Sequence, residues 1–520
     1  MIGAPQQEEI VAFLSRGAAY GKPDATVERI ETHASVVFLA GDRAYKLKRA
    51  VRYSYLDYST PEKREAMCRA ELRLNRRTAP DLYLGIRKVT REREGALALD
   101  GVGTPIDWLL EMKRFPQDAL FDHLAERKRL TPIMMRELSD AIAVFHEAAE
   151  PCAGGRNSVA MRETADGNIR NLRLTPSAFE KGKLAELAFA TNAALARLEL
   201  LLDRRGIDGH VRHCHGDLHL GNICLIGDKP TLFDGIEFND SFTCIDTLYD
   251  LAFLLMDLGH RDLGELANLV FNRYLDRTDD TSGLPLLPLY LSIRAAVRAH
   301  VSLAAIAQKR KPQEAETLAA AASRYLTSAL EFLRPARPRL IALGGFSGSG
   351  KSTLAQALGQ HFRPFPGARI IRTDVVRKRL AAVAPETRLP ASAYDKDSNE
   401  RVYRTLFKEA SAAIGSGYTA IADAAFLTEP DRAAIAAVAS AAGVPFTGFW
   451  LEAPADRLRR RIDARIHDAS DADAAVLVRQ LATGIGVMAW HRLDASGGVA
   501  DIAAAVQRAL SSETERGSAP

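Results

Sequence analysis

The sequence has almost no net charge, no cationic leader and no long apolar run. Its 69 basic residues nearly balance 65 acidic ones, for a net charge of +4, whereas a dedicated nucleic-acid-binding protein usually carries a clear basic excess. The first residues, MIGAPQQEEIVAFLSRG, have acids where a secretion signal needs cations. We expect LYDLAFLLMDLGH to be the most apolar stretch; it contains two aspartates and is too short to span a bilayer. Nucleic-acid and membrane partners are therefore not expected.

Cysteine is also scarce. The five cysteines (Cys68, Cys152, Cys214, Cys224 and Cys244) form no CxxC pair, which favours a reducing, cytoplasmic location. At 520 residues the chain is too long for one hydrophobic core, so two or three domains are expected. Nothing in the sequence specifies an oligomeric state.

A segment rich in proline and arginine, LRPARPRL (333–340), separates two regions of different texture. We predict one domain over 1–335 and a second over 336–512, followed by a disordered tail, 513–520. The first domain divides into a β-rich lobe of about 115 residues and a helical lobe up to 335. In the second, the short apolar runs RLIALGGF, ARIIRTD, YTAIADAAF and VPFTGFWLEA alternate with helices, which predicts an α/β fold with a parallel sheet.

Local sequence signals predict three elements of the first lobe. The run ASVVFLAGDRAYKLKRAV predicts two strands joined by a turn at Gly41-Asp42. A helix is predicted to begin after Thr60 as N-cap, with Pro61 at its first position. The stretch PIDWLLEMKRFP predicts a further strand that ends before Pro116.

The second region begins with the pattern GxxxxGK[ST], from Gly345 to Ser352, between a predicted strand and a predicted helix. Glycines let successive backbone N–H groups wrap a phosphate, and the helix N-terminus adds a favourable dipole. Lys351 is predicted to reach the β- and γ-phosphates of ATP, and Ser352 to ligate Mg²⁺. The predicted nucleotide-binding residues are Gly345, Ser347, Gly348, Ser349, Gly350, Lys351, Ser352 and Thr353.

Two aspartates are predicted to face those phosphates, because ligands bind at the carboxyl ends of parallel strands. Asp374 and Asp423 follow the next two predicted strands, and Arg377 lies one helical turn after Asp374. Residues 338–512 resemble the P-loop kinase group that includes polynucleotide 5′-kinases, zeta toxins and small-molecule kinases. The resemblance implies that Asp374 is the base for an acceptor hydroxyl, that Arg377 holds substrate or phosphate, and that Asp423 acts on Mg²⁺ or its water. The alternative for Asp374 is a helix cap.

The segment DRLRRRIDARI places Arg457, Arg461 and Arg465 on one helical face, with Arg460 beside them. It resembles the lid that closes arginines over the transferring phosphate in such kinases. The alternative is a solvated basic face balanced by Asp468, Asp471 and Asp473.

The segment HCHGDLHLGN (213–222) admits two interpretations. Its histidines and cysteine suggest zinc, but no closing pair of ligands follows at zinc-site spacing. The pattern HGDxHxxN, with an aspartate at the end of the next strand, fits phosphoryl transfer better. Asp217 is predicted to accept or orient the acceptor hydroxyl, and Asn222 and Asp234 to hold Mg²⁺. His215 is predicted to brace the loop.

HGDLHLGNI and LFDGIEFND closely resemble segments of the aminoglycoside phosphotransferase family, which has a protein-kinase-like fold. The resemblance covers about residues 30–335 and implies that Lys46 binds the α- and β-phosphates and that Glu71 is its helix partner. Lys48 lies on the same strand face as Lys46, so a register error of two is possible. LLEMKRF would be the hinge that meets adenine, and Asp246 and Asp250 would buttress the catalytic loop.

No GxGxxG precedes Lys46, and only Gly41 is available to cover phosphates. A non-catalytic sensor that regulates the second domain therefore remains an alternative for the first domain, and a polynucleotide 5′-kinase remains an alternative for the second. Both halves, in this order, resemble a family of bacterial two-domain proteins with an aminoglycoside phosphotransferase-like domain fused to a P-loop domain. The resemblance implies two ATP- and Mg²⁺-dependent phosphotransferases acting on hydroxyls of small molecules.

Overall fold

A computed structural model describes residues 4–32, 34–53, 56–152, 156–306, 312–464 and 469–517. Arg465 and Asp468, two of the residues considered for the lid, lie outside the described residues, as does the end of the predicted tail, 518–520. The chain forms two compact units. The first comprises residues 1–160 and 203–257, and the second comprises residues 161–202 and 258–520.

The N-terminal part of the first unit is built on a six-stranded antiparallel sheet with the strand order β1-β2-β3-β8-β6-β7. A short hairpin, β4–β5, lies outside this sheet. In chain order the elements are α1 (Ala4–Leu14), β1 (Val27–Glu31), β2 (Ser35–Ala40), β3 (Arg43–Lys48), β4 (Arg52–Tyr53), β5 (Leu56–Asp57), α2 (Pro61–Asn75), β6 (Tyr83–Arg91), β7 (Leu97–Leu99) and β8 (Thr104–Lys113).

The three locally predicted elements of this part are confirmed. Ala40 pairs with Arg43, so Gly41-Asp42 forms a two-residue turn, and Gly41 adopts a φ of 61°, which glycine accepts without steric cost. The Thr60 hydroxyl accepts the Lys63 N–H at the start of α2, with Pro61 as the first helical residue. Strand β8 ends at Lys113, before Pro116.

The middle of the chain is mainly helical, with two short hairpin-like pairs. Strand β9 pairs with β12, and β10 pairs with β11, both antiparallel. The elements are α3 (Phe121–Glu126), α4 (Pro132–Ala148), α5 (Asn157–Leu172), α6 (Lys183–Ile207), β9 (Val211–His213), β10 (Ile223–Ile226), β11 (Lys229–Leu232), α7 (Asp240–Thr243), β12 (Cys244–Asp246), α8 (Thr247–His260), α9 (Gly264–Thr278), α10 (Leu287–Ile306) and α11 (Pro312–Phe332).

The C-terminal part of the second unit is an α/β fold on a five-stranded parallel sheet with the order β14-β15-β13-β16-β17. The four predicted strands are confirmed, and β17 is an addition. The elements are β13 (Leu340–Gly345), α12 (Lys351–Gly359), β14 (Arg369–Arg372), α13 (Thr373–Leu380), α14 (Lys396–Gly415), β15 (Ala420–Asp423), α15 (Glu429–Ala441), β16 (Phe446–Glu452), α16 (Ala455–Asp463), α17 (Ala474–Thr483), β17 (His491–Asp494) and α18 (Val499–Gly517). Helix α18 therefore runs five residues into the predicted tail.

Helix α9 packs on the edge strand β14 through polar side chains. The Ile370 N–H donates to Asn272 Oδ1 at 2.7 Å, and Asn268 Nδ2 donates to the Ala368 carbonyl at 3.0 Å. Buried Arg369 pairs with Asp276 at 2.6 Å and with Glu409 at 3.1 Å. Packing within the second unit therefore extends across the proline- and arginine-rich segment, and the boundary at 335/336 stays a prediction.

Cys152 and Cys244 form a disulfide across 92 residues of sequence. The pairing removes the basis on which the cysteine pattern predicts a reducing compartment, because disulfides are rare in reducing compartments. The helical stretch Leu284–Ile306, 23 residues long, is long and apolar enough to cross a membrane by length and composition. Its most apolar window is 61% buried in the fold, as core helices also are. This helical stretch is not LYDLAFLLMDLGH, the stretch that the sequence analysis considered as a membrane span.

Candidate active sites

The loop between β9 and β10 brings the predicted Asp217 and Asn222 together. Asn222 Nδ2 donates to Asp217 Oδ2 and to the Asp217 carbonyl, both at 2.9 Å. His219 Nε2 lies 3.4 Å from Asp217 Oδ2. The Asp217 side chain is 37% exposed, so its carboxylate can be reached from solvent while Asn222 is buried beneath it.

Asp250 holds this loop from below, as predicted. Its carboxylate accepts the N–H groups of His215 (3.0 Å) and Gly216 (2.9 Å) and lies 3.1 Å from His146 Nε2. His215 Nε2 lies 2.9 Å from the Phe233 carbonyl, which can only accept, so that nitrogen donates. Burial lowers the pKa of His215. A neutral His215 therefore ties the catalytic loop to the segment that carries Asp234, which is a bracing role.

Asp234 sits in a left-handed turn, with φ of 60°. Its N–H donates to Tyr83 Oη at 3.0 Å, and the Gly235 N–H donates to Asn75 Oδ1 at 2.7 Å. The Phe233 N–H, beside Asp234, donates to the Asn222 carbonyl at 3.0 Å. The backbone therefore places Asp234 next to the loop that carries Asn222, and a metal site shared by the two residues stays a prediction.

Two lysines of β3 share one carboxylate of α2. Lys46 Nζ donates to Glu71 Oε1 at 2.8 Å and to Asp234 Oδ1 at 2.6 Å. Lys48 Nζ donates to Glu71 Oε2 at 2.7 Å and also contacts Glu237. Burial alone would lower the pKa of Lys46, but Asp234 and Glu71 raise it well above its ordinary value. Lys46 is the lysine that contacts the predicted metal ligand.

Sequence reasoning missed four residues that hold this site together: Tyr58, Asn75, Tyr83 and Glu237. Tyr58 Oη donates to Glu237 Oε1 at 2.5 Å. Asn75 could have been found, since it follows Glu71 by four residues and shares its helix face. The two tyrosines carry no local signal.

In the second unit, the loop from Gly345 to Gly350 has the shape of a phosphate cradle. Gly348 and Gly350 adopt φ of 83° and 92°, and a Cβ at Gly348 would lie 2.5 Å from the Leu458 carbonyl oxygen. Lys351 Nζ donates to the carbonyls of Gly345 (2.9 Å) and Phe346 (3.1 Å). Among the described residues, the buried Ser349 hydroxyl has no hydrogen-bond partner. The donors and the glycine backbone fit a nucleotide's phosphates.

Ser352 and Asp423 meet beside this loop, as their predicted shared role requires. Ser352 Oγ donates to Asp423 Oδ2 at 2.5 Å, and Arg372 Nε lies 3.5 Å from the same oxygen. A hydroxyl and a carboxylate are oxygen ligands of the kind Mg²⁺ prefers. The pair fits a magnesium site next to the phosphate cradle.

The sequence predicts Asp374 at the end of a strand, but β14 ends at Arg372 and Asp374 is the second residue of α13. It lines the same cavity as the phosphate loop. Burial raises the pKa of Asp374, Arg372 lowers it, and Asp423 raises it further. A raised pKa in a cleft is the property of a candidate base.

Arg377 lies one turn after Asp374 and is tied into the wall of the cavity. Its guanidinium donates to the Ala393 carbonyl and to Asn399 Oδ1, both at 2.7 Å, and lies 4.5 Å from the centre of the Tyr394 ring. These contacts fix Arg377 in the wall of the cavity, and its role in holding substrate or phosphate stays a prediction.

The two described lid arginines on α16 differ in position. Arg461 lies 3.5 Å from the Ser349 carbonyl and lines the cavity. Arg457 instead contacts the Ser496 carbonyl and does not line it. Arg460 pairs with Asp456 on the surface. Only Arg461 of these three is placed near the phosphate loop.

The cavity has a volume of about 1750 Å³. Ligand pockets typically measure about 300–1,000 Å³, so the cavity can hold a nucleotide and a second small molecule. Beyond the phosphate loop its polar lining includes Arg388, Tyr394, Asn399, Arg404, Asp471 and Arg479.

Two known families match successive parts of the chain. Residues 103–287 match the phosphotransferase enzyme family, and residues 340–484 match an AAA domain. An uncharacterized protein of Mycobacterium tuberculosis (strain ATCC 25618 / H37Rv) is 30% identical over 478 residues, which cover 90% of this chain and 92% of that protein. A protein of Mycobacterium bovis matches equally. The chain belongs to this two-domain family. It joins a phosphotransferase-family domain with a kinase-like fold to a P-loop domain, which confirms the predicted family and fold.

Other likenesses cover single domains. An adenylyl-sulfate kinase of Myxococcus xanthus is 31% identical over 126 residues, 24% of this chain and 62% of that protein. A choline/ethanolamine kinase family protein of Mesorhizobium loti matches 62% of this chain and 98% of its own, at 14% identity and a TM-score of 0.37. A gluconokinase of Sinorhizobium meliloti matches 36% and 100%, at 19% identity and a TM-score of 0.27. These scores identify no acceptor. The two family matches support an ATP-dependent kinase, and such families generally use ATP and Mg²⁺.

Proposed function

We propose that this protein holds two separate phosphoryl-transfer sites, one in the phosphotransferase-family domain and one in the P-loop domain. Each transfers the γ-phosphoryl group of ATP to a hydroxyl of a small molecule. The observation that carries the proposal is the presence of two unrelated constellations. One joins Lys46 and Asp234 to the Asp217 loop, and the other joins Lys351 to the Ser352–Asp423 pair.

In the first site, Asp217 accepts or orients the proton of the acceptor hydroxyl, because its carboxylate is exposed and fixed by Asn222. Asn222 and Asp234 provide oxygens for Mg²⁺, and Lys46 is held by Glu71 to meet the α- and β-phosphates. Since a carboxylate has two oxygens, Asp234 can ligate the metal through Oδ2 while Oδ1 accepts from Lys46. The backbone of 109–115 is the proposed adenine hinge.

In the second site, Lys351 leaves the Gly345 and Phe346 carbonyls to reach the β- and γ-phosphates, and Thr353 adds a donor at the helix N-terminus. Ser352 and Asp423 hold the metal. Asp374 takes the acceptor proton, and Arg461 approaches from α16. When bound, ATP would supply the electrophilic phosphorus, and its Mg²⁺ would offset the negative charge that develops at both sites.

The acceptors are proposed to be small molecules and the location the cytoplasm, where ATP is available. The cavity of the P-loop domain supports a small acceptor by its size. The nearly balanced charge of the chain gives no support to a nucleic-acid acceptor.

A second candidate function for the phosphotransferase-family domain is a non-catalytic sensor. The observation that favours it is the tight β2–β3 turn, in which Gly41 is the one glycine available to cover phosphates. In that case the domain would regulate the P-loop kinase without transferring phosphate.

The test measures ATP consumption by the full-length chain against pools of hydroxylated metabolites, aminoglycosides and a single-stranded oligonucleotide. Full length is required because α9 packs on β14. Asp217→Asn should lower turnover of one acceptor by ~10²-fold or more, and Asp374→Asn should abolish turnover of another. Both variants should keep Mg²⁺-ATP bound.

If both variants retain parental turnover of every acceptor, the assigned bases are wrong. If only Asp374→Asn lowers turnover, the phosphotransferase-family domain is a sensor and not a catalytic domain. Turnover of the oligonucleotide alone would make the P-loop domain a polynucleotide kinase.

A further inference from the structure

A cluster of reactive side chains lies at the base of the catalytic loop, and neither proposed reaction uses it. His213 faces Cys244 across the β9–β12 pair. The backbone of Cys152 joins the other side of β9, where its N–H donates to the Val211 carbonyl at 3.0 Å. Three adjacent backbone segments thus present two sulfurs and an imidazole, whose nearest ligand atoms all lie within 4.8 Å of one another.

The spacing of these atoms matches the coordination shell of zinc. Cys244 Sγ lies 3.6 Å from both ring nitrogens of His213. Tetrahedral zinc, with Zn–S of about 2.3 Å and Zn–N of about 2.0 Å, places a sulfur and a nitrogen ligand about 3.6 Å apart and two sulfurs about 3.8 Å apart. One edge of the tetrahedron is therefore already present. The sulfur–sulfur edge forms only when the disulfide is reduced and the two sulfurs move apart to about 3.8 Å.

We propose that Cys152, His213 and Cys244 bind a thiophilic divalent cation, Zn²⁺, whenever the Cys152–Cys244 disulfide is reduced. All three side chains are partly exposed, so both the ion and a reductant can reach them. Three protein ligands leave the fourth position to water or a small ligand, and cysteine with histidine is a donor set that selects zinc over Mg²⁺.

The other group of potential ligands nearby has a different explanation. His146, Cys214 and Asp250 also lie within ligand distance of one another, but all three are buried. Asp250 already accepts two backbone N–H groups of the catalytic loop. That group is buried and braces the loop, whereas the Cys152, His213 and Cys244 side chains are partly exposed.

Oxidation and metal binding exclude each other because they use the same sulfurs. A low-molecular-weight disulfide oxidises the two zinc-bound thiolates, which give up two electrons and form the Cys152–Cys244 bond. The disulfide takes up those two electrons and two protons and leaves as two thiols, and Zn²⁺ is released. Reduction by a dithiol reverses the electron flow and restores the thiolates.

The position of the cluster connects it to the catalytic loop. Cys214, next to His213, donates its N–H to the Thr243 carbonyl at 2.8 Å, next to Cys244. The loop that carries Asp217 begins there. The metal-bound and disulfide forms therefore tether the same end of the loop by different bonds.

The test titrates the full-length, reduced protein with Co²⁺ alone, a spectroscopic substitute for zinc. We expect thiolate-to-cobalt absorption that saturates at one Co²⁺ per chain, and no such absorption in the disulfide form. Cys152→Ser and Cys244→Ser should each weaken Co²⁺ binding by more than ~10-fold, the least that loss of an outer partner of a metal ligand costs. His213→Ala should do the same. Cys68→Ser and Cys224→Ser, at buried free cysteines, are the matched controls and should bind as the parent does.

Oxygen ligands at the proposed magnesium sites give no thiolate absorption, so the signal reports cysteine ligands, and the serine variants show which cysteines these are. Reduced protein without that absorption, or absorption that survives in both Cys152→Ser and Cys244→Ser, overturns the proposal. In a second arm, glutathione disulfide added to zinc-loaded protein should release one Zn²⁺ for each Cys152–Cys244 disulfide found by peptide mapping. Release without that disulfide would also overturn it. Circular dichroism of every variant shows whether it is folded.

Discussion

At the scale of single residues, Lys46 and Lys48 divide two tasks that the sequence could not assign. Both contact Glu71, but Lys46 also contacts Asp234, whose side chain is 42% exposed, whereas Lys48 contacts Glu237, which is only 7% exposed. A partner that faces solvent can be rehydrated when its lysine is lost. A buried partner cannot, so loss of Lys48 leaves an uncompensated charge.

We predict that two matched variants affect different quantities, nucleotide binding in one and stability in the other. Lys46→Met should weaken Mg²⁺-ATP binding at the first site by roughly 10- to 150-fold, the equivalent of one charged hydrogen bond of about 1.5–3 kcal/mol, with a small loss of stability. Lys48→Met should lower the free energy of unfolding by about 3–5 kcal/mol and change ATP affinity less. Calorimetric titration and urea denaturation measure the two quantities. The reverse pattern would assign the nucleotide to Lys48.

Asp374 should give the second site a characteristic acid limb. Burial raises the pKa of Asp374 above its usual 3.8, and a base acts only when deprotonated. We therefore expect kcat/KM of the P-loop reaction to fall as the pH drops through a value above 3.8. The pH profile is measured in the Asp217→Asn background, which isolates the second site. A profile with no loss above pH 3.8 would contradict the raised pKa.

The raised pKa of Asp374 also predicts that Asp374→Asn, which lowers activity, does not lower stability. A raised carboxyl pKa means that the folded state binds the proton more tightly than the unfolded state, so ionisation at neutral pH costs stability. The inactive Asp374→Asn variant should therefore be at least as stable as the parent at pH 7, and this advantage should disappear below pH 3.8. A variant that is less stable at pH 7 would indicate a structural cap instead.

At the scale of elements, the α9–β14 contact depends on Asn272. Its side chain accepts from the Ile370 N–H at 2.7 Å and donates to the Ala368 carbonyl at 3.1 Å, and it is buried. Each buried backbone group left without a partner costs about 1–3 kcal/mol. Asn272→Ala should therefore lower the free energy of unfolding by roughly 2–4 kcal/mol.

Urea denaturation of the full chain, followed by circular dichroism, measures this loss. Arg277→Gln, at an exposed position on the same helix, is the control and should stay within about 0.5 kcal/mol of the parent. Equal stability of Asn272→Ala and the parent would show that water or a shift of β14 replaces the amide.

The elements that could be predicted carry their signals within a few residues. The Gly41-Asp42 turn, the Thr60 cap and the strand–loop–helix around Lys351 depend on local conformation, and the structure confirms them. Strand β17 could not be predicted, since three of its four residues, HRLD, are polar and exposed. The Asn272 contact and the Cys152–Cys244 pair depend on residues about a hundred positions apart, for which one sequence gives no signal.

The candidate sites divide in the same way. Asp217, Asn222, Ser352 and Asp423 could each be predicted because each has its own motif or strand end, and the structure places Asp217 against Asn222 and Ser352 against Asp423. Arg457 and Arg461 share a helical face and contact the neighbouring carbonyls of Ser496 and Ala495, but only Arg461 lines the cavity, since helical spacing does not show what a shared face meets. Their roles in catalysis stay predictions.

At the scale of the whole molecule, the two constellations predict two Mg²⁺-ATP sites per chain. Calorimetry with a non-hydrolysable ATP analogue should give two sites for the parent. Lys351→Ala should remove the site in the P-loop domain only, and Asp234→Asn should weaken the other only. At a hundred times its dissociation constant a ligand adds about 2.7 kcal/mol of stability, which raises a melting midpoint by roughly 5–10 °C. If calorimetry finds one site in the parent and Lys351→Ala removes it, the phosphotransferase-family domain does not bind the nucleotide and is the proposed sensor.

The polar contact between α9 and β14 also limits how such a chain can be recombined. A crossover within the proline- and arginine-rich segment would give the parallel sheet a foreign α9, and Asn268, Asn272 and Asp276 would have to reappear there by chance. Arg369 would otherwise be buried with only Glu409 to neutralise it. Chimeras that inherit 161–202 together with 258–520, the whole second unit, should fold, whereas those joined after 335 should need compensating changes at the edge of β14.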